Sequence, residues 1–255
     1  MRVVFLGSGT SFGVPVIGCR CHVCLSPDQR DRRYRASVLI ESGGTSAVVD
    51  AGPEFRLQAL RAGITRLDAL LLTHAHADHV SGLDDLRPLT SKRVLPVFGN
   101  AEALAETAER FAYIFRESQV GGGKPRIELR KAEGPFDIGE MRVVPVPILH
   151  GELPILGWRT GKLAYITDCS NLPESSLPLL AGVEVLVING LRREPHATHF
   201  SLDQGMAAAR RIGARSTWLT HMNHESTHAE LEDYCAQNGD GLDVRPAWDG
   251  LELEL

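Results

Sequence analysis

Three histidines and one aspartate fall within six residues directly after an apolar segment, and this cluster constrains the fold more than any other feature. Residues 67–73 read LDALLLT, which is typical of a buried β-strand, and the next six residues are HAHADH. Imidazole and carboxylate groups at the end of such a strand are costly to bury unless they bind a cation. The sequence therefore predicts a metal site that includes His74, His76, Asp78 and His79.

The composition is that of a globular protein. Hydrophobic residues make up 43% of the 255 residues and charged residues 23%, which excludes disordered, collagen-like and coiled-coil chains. No apolar run reaches the ~18 residues of a membrane span, so no membrane association is expected. The net charge of -5 argues against nucleic acid as a partner. The apolar run near the start is too short for a signal peptide, so a cytoplasmic location is expected.

Strand and helix patterns alternate along the chain without a linker, which predicts a single α/β domain over residues 1–255. Strands are predicted near 2–6, 36–41, 46–50, 69–73, 95–98, 126–129, 141–147, 163–167, 183–188, 216–220, 242–245 and 251–255. Helices are predicted near 54–62, 101–116, 173–181, 201–212 and 226–238. Ser201, followed by Gln204, predicts a capped helix start. The mixed order favours helices flanking two packed sheets over one parallel sheet.

Three further candidate ligands each follow a predicted strand in the second half of the chain. They are His150, Asp168 and His221. Strand ends are rigid and can deliver side chains from distant parts of the sequence into one crevice. We therefore expect these residues to converge on the histidine-rich cluster.

The order of these seven residues resembles the metal-ligand set of the metallo-β-lactamase superfamily. That resemblance implies a four-layer αββα sandwich with two divalent metal ions at one edge of the sheets. Zinc, manganese and iron all suit such mixed imidazole and carboxylate ligands, and the sequence does not choose among them. By resemblance, one ion would be held by His74, His76 and His150, the other by Asp78, His79 and His221, with Asp168 bridging them. By the same resemblance, Asp50 would contact the ligands without binding a metal ion itself, and Asp78 is also expected to take part in catalysis.

A second metal site is predicted from the motif Cys19-x-Cys21-x-x-Cys24, within a loop at about residues 15–30. Crowded cysteines in a cytosolic chain indicate metal binding rather than disulfides. A tetrahedral structural zinc needs a fourth ligand. His224 is the preferred candidate, and His22 is the local alternative.

The glycine-rich opening at residues 7–15, the three-cysteine motif and the pair His221-x-x-His224 together resemble one family more narrowly. This family comprises the cyclic phosphodiesterases of the phosphonate-degrading carbon-phosphorus lyase pathway. The resemblance implies hydrolysis of phosphoribosyl 1,2-cyclic phosphate or 2′,3′-cyclic nucleotides by a hydroxide that bridges the metals. It also implies a manganese-type dinuclear site, one structural zinc and a homodimer.

His199 resembles the general-acid histidine of that family, and His196 is the alternative. Arg192 and Arg193 could meet phosphate, but a hydrated loop is the simpler interpretation. His228, on the last predicted helix, is expected to be solvated.

The ligand pattern is also found in enzymes and proteins with other functions. The superfamily also includes hydrolases of lactones, thioesters and RNA 3′ ends. A carrier protein of quinone-cofactor biosynthesis shares the three-cysteine motif and suggests a non-catalytic role. A complete set of seven ligand positions favours an enzyme.

Overall fold

Two mixed β-sheets face each other in the computed structural model, which describes residues 1–117 and 123–255. The strands are β1 (Arg2–Gly7), β2 (Ser37–Ser42), β3 (Thr45–Val49), β4 (Ala69–Leu71), β5 (Leu95–Gly99), β6 (Ile127–Lys131), β7 (Phe136–Ile138), β8 (Met141–His150), β9 (Leu153–Thr160), β10 (Leu163–Ile166), β11 (Val185–Asn189), β12 (Ser216–Thr220), β13 (Asp243–Pro246) and β14 (Glu252–Glu254). The first sheet has the order β14-β1-β2-β3-β4-β5-β6, and the second has the order β13-β12-β11-β10-β9-β8-β7.

The two sheets share one pattern of strand directions. In the first, β3, β4, β5 and β6 are parallel, and β14, β1, β2 and β3 pair antiparallel. In the second, β10 to β13 are parallel, and β7 to β10 pair antiparallel. The carboxyl ends of parallel strands lie on one edge of a sheet, which is where ligands bind in open α/β folds.

Helices cover the outer face of each sheet. They are α1 (Phe55–Ala62), α2 (Ala77–Val80), α3 (Ala101–Arg110), α4 (Ala112–Phe115), α5 (Leu202–Ile212) and α6 (His228–Asn238). Short 3-10 helices span Gln29–Asp31, Leu83–Leu86, Pro88–Thr90 and Glu174–Leu180. Phe55 of α1 and Leu104 of α3 pack on the first sheet, whereas Met206 of α5 and Leu231 of α6 pack on the second.

Strand β10 shows how each sheet buries both of its faces. Leu163 and Tyr165 pack between the sheets, whereas Ala164 and Ile166 pack against the outer helices. Strands buried on both faces read as continuous apolar runs, which is why the sequence displays them so clearly. The expected four-layer αββα sandwich is confirmed.

The twelve predicted strands all have a counterpart, but β7 and β9 were not predicted. Strand β9 contains Pro154 and Gly157, which disfavour strand structure in sequence reasoning. The helix predicted at 101–116 is broken at Phe111, and the segment predicted at 173–181 forms a 3-10 helix with Pro178 inside it. Ser201 accepts a hydrogen bond from the Gln204 backbone N–H, so the predicted cap is confirmed.

Among the residues that the structure describes, no helix has the length and apolar character needed to cross a membrane.

Candidate metal centre

The seven predicted ligands lie on one edge of the sandwich, each at or near the end of a strand. His74 and His76 lie in the loop after β4, Asp78 and His79 in α2, His150 at the end of β8, Asp168 just after β10, and His221 just after β12. The structure brings them into two groups, in each of which the ligand atoms lie within 4.8 Å of one another. One group is His74, His76 and His150, and the other is Asp78, His79, Asp168 and His221.

The backbone turns sharply at three positions on this edge. Within the described ranges, four residues other than glycine have positive φ, and three of them are Asp50 at 61°, Asp168 at 57° and His221 at 58°. The left-handed region is unfavourable for residues with a side chain and persists only where the surroundings hold it. Its concentration at three strand ends marks this edge as a functional site.

Asp50 fixes the orientation of His79. Its Oδ1 accepts a hydrogen bond from the Thr73 backbone N–H at 2.8 Å, and its Oδ2 accepts from the Thr73 hydroxyl at 2.8 Å. The Nδ1 of His79 lies 2.7 Å from the same Oδ2. This contact leaves the His79 Nε2 facing the cluster, 3.1 Å from Asp78 Oδ2. A carboxylate behind a histidine is the usual way to set the tautomer of a metal ligand.

His150 is oriented by a backbone carbonyl. Its Nδ1 donates to the Thr198 carbonyl oxygen at 2.7 Å, so its Nε2 is free to bind a metal. His74 Nε2 and His76 Nδ1 lie 2.9 Å apart. Burial and the neighbouring His79 hold the pKa of His74 well below its usual range. The first group therefore presents neutral imidazoles, the form that binds metals.

The second group contains buried polar atoms without hydrogen-bond partners among the described residues. They are His79 Nε2 and both ring nitrogens of His221. Buried polar atoms are normally paired, so imidazole nitrogens left unpaired beside two carboxylates fit a cation-binding site. Burial alone would raise the pKa of Asp168, but His221 and His79 hold it well below its usual range. Ionised carboxylates beside unpaired imidazole nitrogens fit a divalent cation.

His199 lies against this group. Its Nε2 is 3.1 Å from Asp168 Oδ2, and its ring stacks on His221 with 4.8 Å between centroids. Its Nδ1 is 3.2 Å from His196 Nδ1. Burial lowers the pKa of His199, and Asp168 opposes that shift. Between the two candidate acids, the structure places His199 against the ligands and the exposed His196 behind it.

The three cysteines of the N-terminal loop surround His224. The distances from His224 Nδ1 to the Sγ atoms of Cys19, Cys21 and Cys24 are 3.5, 3.4 and 3.5 Å. A tetrahedral zinc site with ordinary bond lengths separates its sulfur and nitrogen ligands by about 3.5 Å. The four side chains therefore fit a structural zinc.

Backbone amides support this second site. Cys21 N–H donates to Cys19 Sγ, Cys24 N–H to Cys21 Sγ, and Val16 N–H to Cys24 Sγ. The Cys24 amide is the largest of the effects that lower the pKa of Cys21 to about 6. His22 turns away and lies 3.3 Å from Glu230. The structure therefore brings His224, and not His22, to the cysteines.

Several supporting residues were missed by sequence reasoning. Thr73 holds Asp50, the Thr198 carbonyl holds His150, and the Thr167 hydroxyl donates to Asp168 Oδ1 at 2.7 Å. Each of these threonines directly precedes a predicted site residue, and that position is the only indication of its role in the sequence.

The two arginines near the site contact their own surroundings. Arg192 hydrogen-bonds the carbonyls of Glu194 and Pro195, and Arg193 lies over the Tyr234 ring. These contacts fit the simpler interpretation of a loop pair. His228, expected to be solvated, is fully buried, so that expectation was wrong. It packs against Arg33 and Trp248, which the sequence pattern of its helix does not reveal.

The chain is similar to known proteins over most of its length. Residues 45–222 match a family described as the beta-lactamase superfamily domain. A crystal structure of a new diphosphatase from the PhnP family is similar over 100% of this chain and 97% of that one, with a TM-score of 0.91 and 37% identity.

Two curated relatives carry different names. An octanoyltransferase of Porphyromonas gingivalis is 40% identical over 99% of this chain, but the chain spans only 51% of that protein. Coenzyme PQQ synthesis protein B of Methylobacterium nodulans is 28% identical over 74% of this chain and 73% of its own length.

Proposed function

Because the chain belongs to the beta-lactamase superfamily, whose fold supports metal-dependent hydrolases, we propose that it is a dinuclear metallohydrolase of small cyclic phosphate diesters. The substrates would be of the phosphoribosyl 1,2-cyclic phosphate or 2′,3′-cyclic nucleotide type. The observation that carries the proposal is the convergence of seven imidazole and carboxylate ligands in two groups at one sheet edge.

The comparisons support phosphate chemistry more than the alternatives. The similarity to the PhnP-family diphosphatase extends over the whole chain at 37% identity. The octanoyltransferase is about twice as long as this chain, so acyl transfer is named for a protein of which half lies outside the match. The similarity to the PQQ synthesis protein covers less of the chain at lower identity.

The candidate ligands would hold two cations. His74, His76 and His150 would hold one cation, Asp78, His79 and His221 the other, and Asp168 would be shared. Divalent cations held by these residues would lower the pKa of a bound water and neutralise charge on the phosphoryl oxygens. The Thr198 carbonyl and the Asp50 carboxylate each contact the Nδ1 atom of one ligand, His150 and His79, so the Nε2 atom of each ring is left to face the cluster.

His199 would supply the proton for ring opening. The oxygen of a water bonds to phosphorus as that water loses a proton to solvent, the ring P–O bond breaks, and the leaving alkoxide takes a proton from protonated His199, which solvent then reprotonates. The Nε2 atom of His199 lies against Asp168 in the cluster, and its Nδ1 atom lies against His196 in the loop at 196–198.

A second candidate is cleavage of a diphosphate bond. The similar crystal structure is described as a diphosphatase. The same constellation could serve both reactions, because each replaces a P–O bond with a bond to water oxygen.

A substrate panel tests the proposal. It would compare bis-p-nitrophenyl phosphate, a 2′,3′-cyclic nucleotide, phosphoribosyl 1,2-cyclic phosphate, a nucleoside diphosphate, a lactone and a thioester. We expect turnover of the cyclic diesters. Asp168→Ala should lose this activity, whereas the surface control Asp137→Ala should keep it. Turnover of the lactone or thioester alone would overturn the proposal, and faster turnover of the nucleoside diphosphate would establish the second candidate.

The structural zinc of Cys19, Cys21, Cys24 and His224 is part of the same proposal. The cytoplasmic location, the homodimer and the single-domain organisation stay predictions from the sequence.

A further inference from the structure

Asn189 is a buried polar residue that the chemistry described so far does not use. It is the last residue of β11, and its side chain is fully buried. Its Oδ1 accepts a hydrogen bond from the Cys169 backbone N–H at 2.8 Å, and its Nδ2 donates to the Cys169 carbonyl at 3.0 Å. One side chain therefore pairs both backbone groups of the residue that follows Asp168.

This contact lies where the β-ladder stops. Strands β10 and β11 pair in parallel as far as Ile166 and Ile188, and the chain then turns at Asp168 with φ of 57°. A left-handed backbone cannot continue the ladder, so the buried groups of the next peptide need another partner. The Asn189 side-chain amide takes the place of the strand backbone at this point. It offers the acceptor for the Cys169 N–H and the donor for the Cys169 carbonyl.

The same carbonyl also links Asp168 to His199. Cys169 O accepts a second hydrogen bond from the Phe200 backbone N–H at 2.7 Å. Phe200 follows His199, whose Nε2 faces Asp168 Oδ2 at 3.1 Å. A shift of the Cys169 peptide would therefore move both the shared carboxylate and the candidate acid.

We propose that Asn189 is a positioning residue that holds Asp168 in its left-handed conformation and keeps it aligned with His199. Among the described residues its side chain hydrogen-bonds the Cys169 backbone and none of the seven candidate ligands, so it would act through the Cys169 peptide. The inference rests on the proposed function, because it assumes that Asp168 is a metal ligand.

The test compares a variant of Asn189 that keeps the shape of its side chain with a destabilised core variant at a different position. Asn189→Asp keeps the acceptor but loses the donor to the Cys169 carbonyl. Leu186→Ala, on the same strand and in the same buried core, lowers stability without touching the Cys169 peptide. Metal content and ion affinity would be measured with Mn²⁺ and a competing chelator. Zinc at the cysteine site serves as an internal reference, and bis-p-nitrophenyl phosphate reports kcat.

We expect Asn189→Asp to lower Mn²⁺ affinity about 10- to 100-fold, the effect typical of residues behind metal ligands, and to lower kcat while keeping the cysteine-site zinc. We expect Leu186→Ala to keep wild-type Mn²⁺ affinity. If Asn189→Asp does not fold, Asn189→Ser is measured in its place.

Wild-type Mn²⁺ affinity in the folded Asn189 variant would overturn the inference. Loss of the cysteine-site zinc together with Mn²⁺ would also overturn it, because Asn189 would then support the fold as a whole. Wild-type protein that binds Mn²⁺ but hydrolyses no phosphate ester would contradict the proposed function instead, and the affinities would still decide the role of Asn189.

Discussion

The Nδ1 atom of His79 lies 2.7 Å from the Oδ2 atom of Asp50, and both side chains are fully buried. Thr73 donates two further hydrogen bonds to the same carboxylate, so Asp50 cannot rotate freely. Its role is therefore to present the opposite nitrogen of His79 to the cluster. Because such supporting carboxylates raise the basicity of the histidine, they strengthen metal binding without touching the ion.

Asp50→Asn is expected to lower metal affinity about 10- to 100-fold with the fold retained. Chelator competition measures this change. Asp68→Asn is the matched control, since Asp68 is also a shielded carboxylate, with a backbone amide and two arginines as partners, away from the cluster. Equal affinity in Asp50→Asn and wild type would contradict the role of Asp50.

His199→Gln should keep its metal ions and lose turnover. With a 2′,3′-cyclic nucleotide, whose leaving group is a poor one, we expect kcat to fall roughly 10²- to 10⁴-fold. With bis-p-nitrophenyl phosphate the fall should be smaller, because p-nitrophenolate needs little protonation. His196→Gln is the control and should change either rate by only a few-fold. A loss that does not depend on the leaving group would count against His199 as the acid.

His224→Ala should remove the structural zinc and lower the free energy of unfolding by more than about 2 kcal/mol, since metal binding is coupled to folding. Elemental analysis and denaturant unfolding measure both effects. His22→Ala should keep the zinc, because His22 contacts Glu230 instead. Zinc retained in His224→Ala but lost in His22→Ala would reverse the assignment.

His228 should make stability depend on pH. Burial and the nearby Arg33 lower the pKa of His228 to about 3, below the value near 6.5 expected when the chain is unfolded. The unfolded chain therefore binds more protons between these values, so stability is lost as pH falls through this range. His228→Asn keeps an acceptor for Arg33 and cannot be protonated.

The loss of unfolding free energy between pH 6.5 and 4 should be smaller in His228→Asn by up to about 3 kcal/mol. Urea unfolding at several pH values measures this difference. Parallel curves for the variant and wild type would show that His228 does not contribute.

The sequence predicted the candidate metal ligands better than the residues that orient them. His74, His76, Asp78 and His79 are visible because polar residues at the end of a buried strand are unusual, and Asp168 and His221 follow equally apolar strands. The burial of His228 depends on Arg33, which is 195 positions away in the chain. The pairing of Asn189 with Cys169 arises only when β11 lies beside β10. Contacts of this kind depend on tertiary packing, so a local pattern does not predict them.

Metal analysis of the purified protein, coupled to phosphodiester hydrolysis, is the most direct test of a dinuclear metallohydrolase that also binds a structural zinc. We predict roughly three metal ions per chain, two in the dinuclear centre and one at the cysteine site. Two should leave on mild chelation together with the activity, and activity should return when Mn²⁺ or Zn²⁺ is added. Full activity after those ions are removed, or a chain that binds only the cysteine-site zinc, would contradict this prediction.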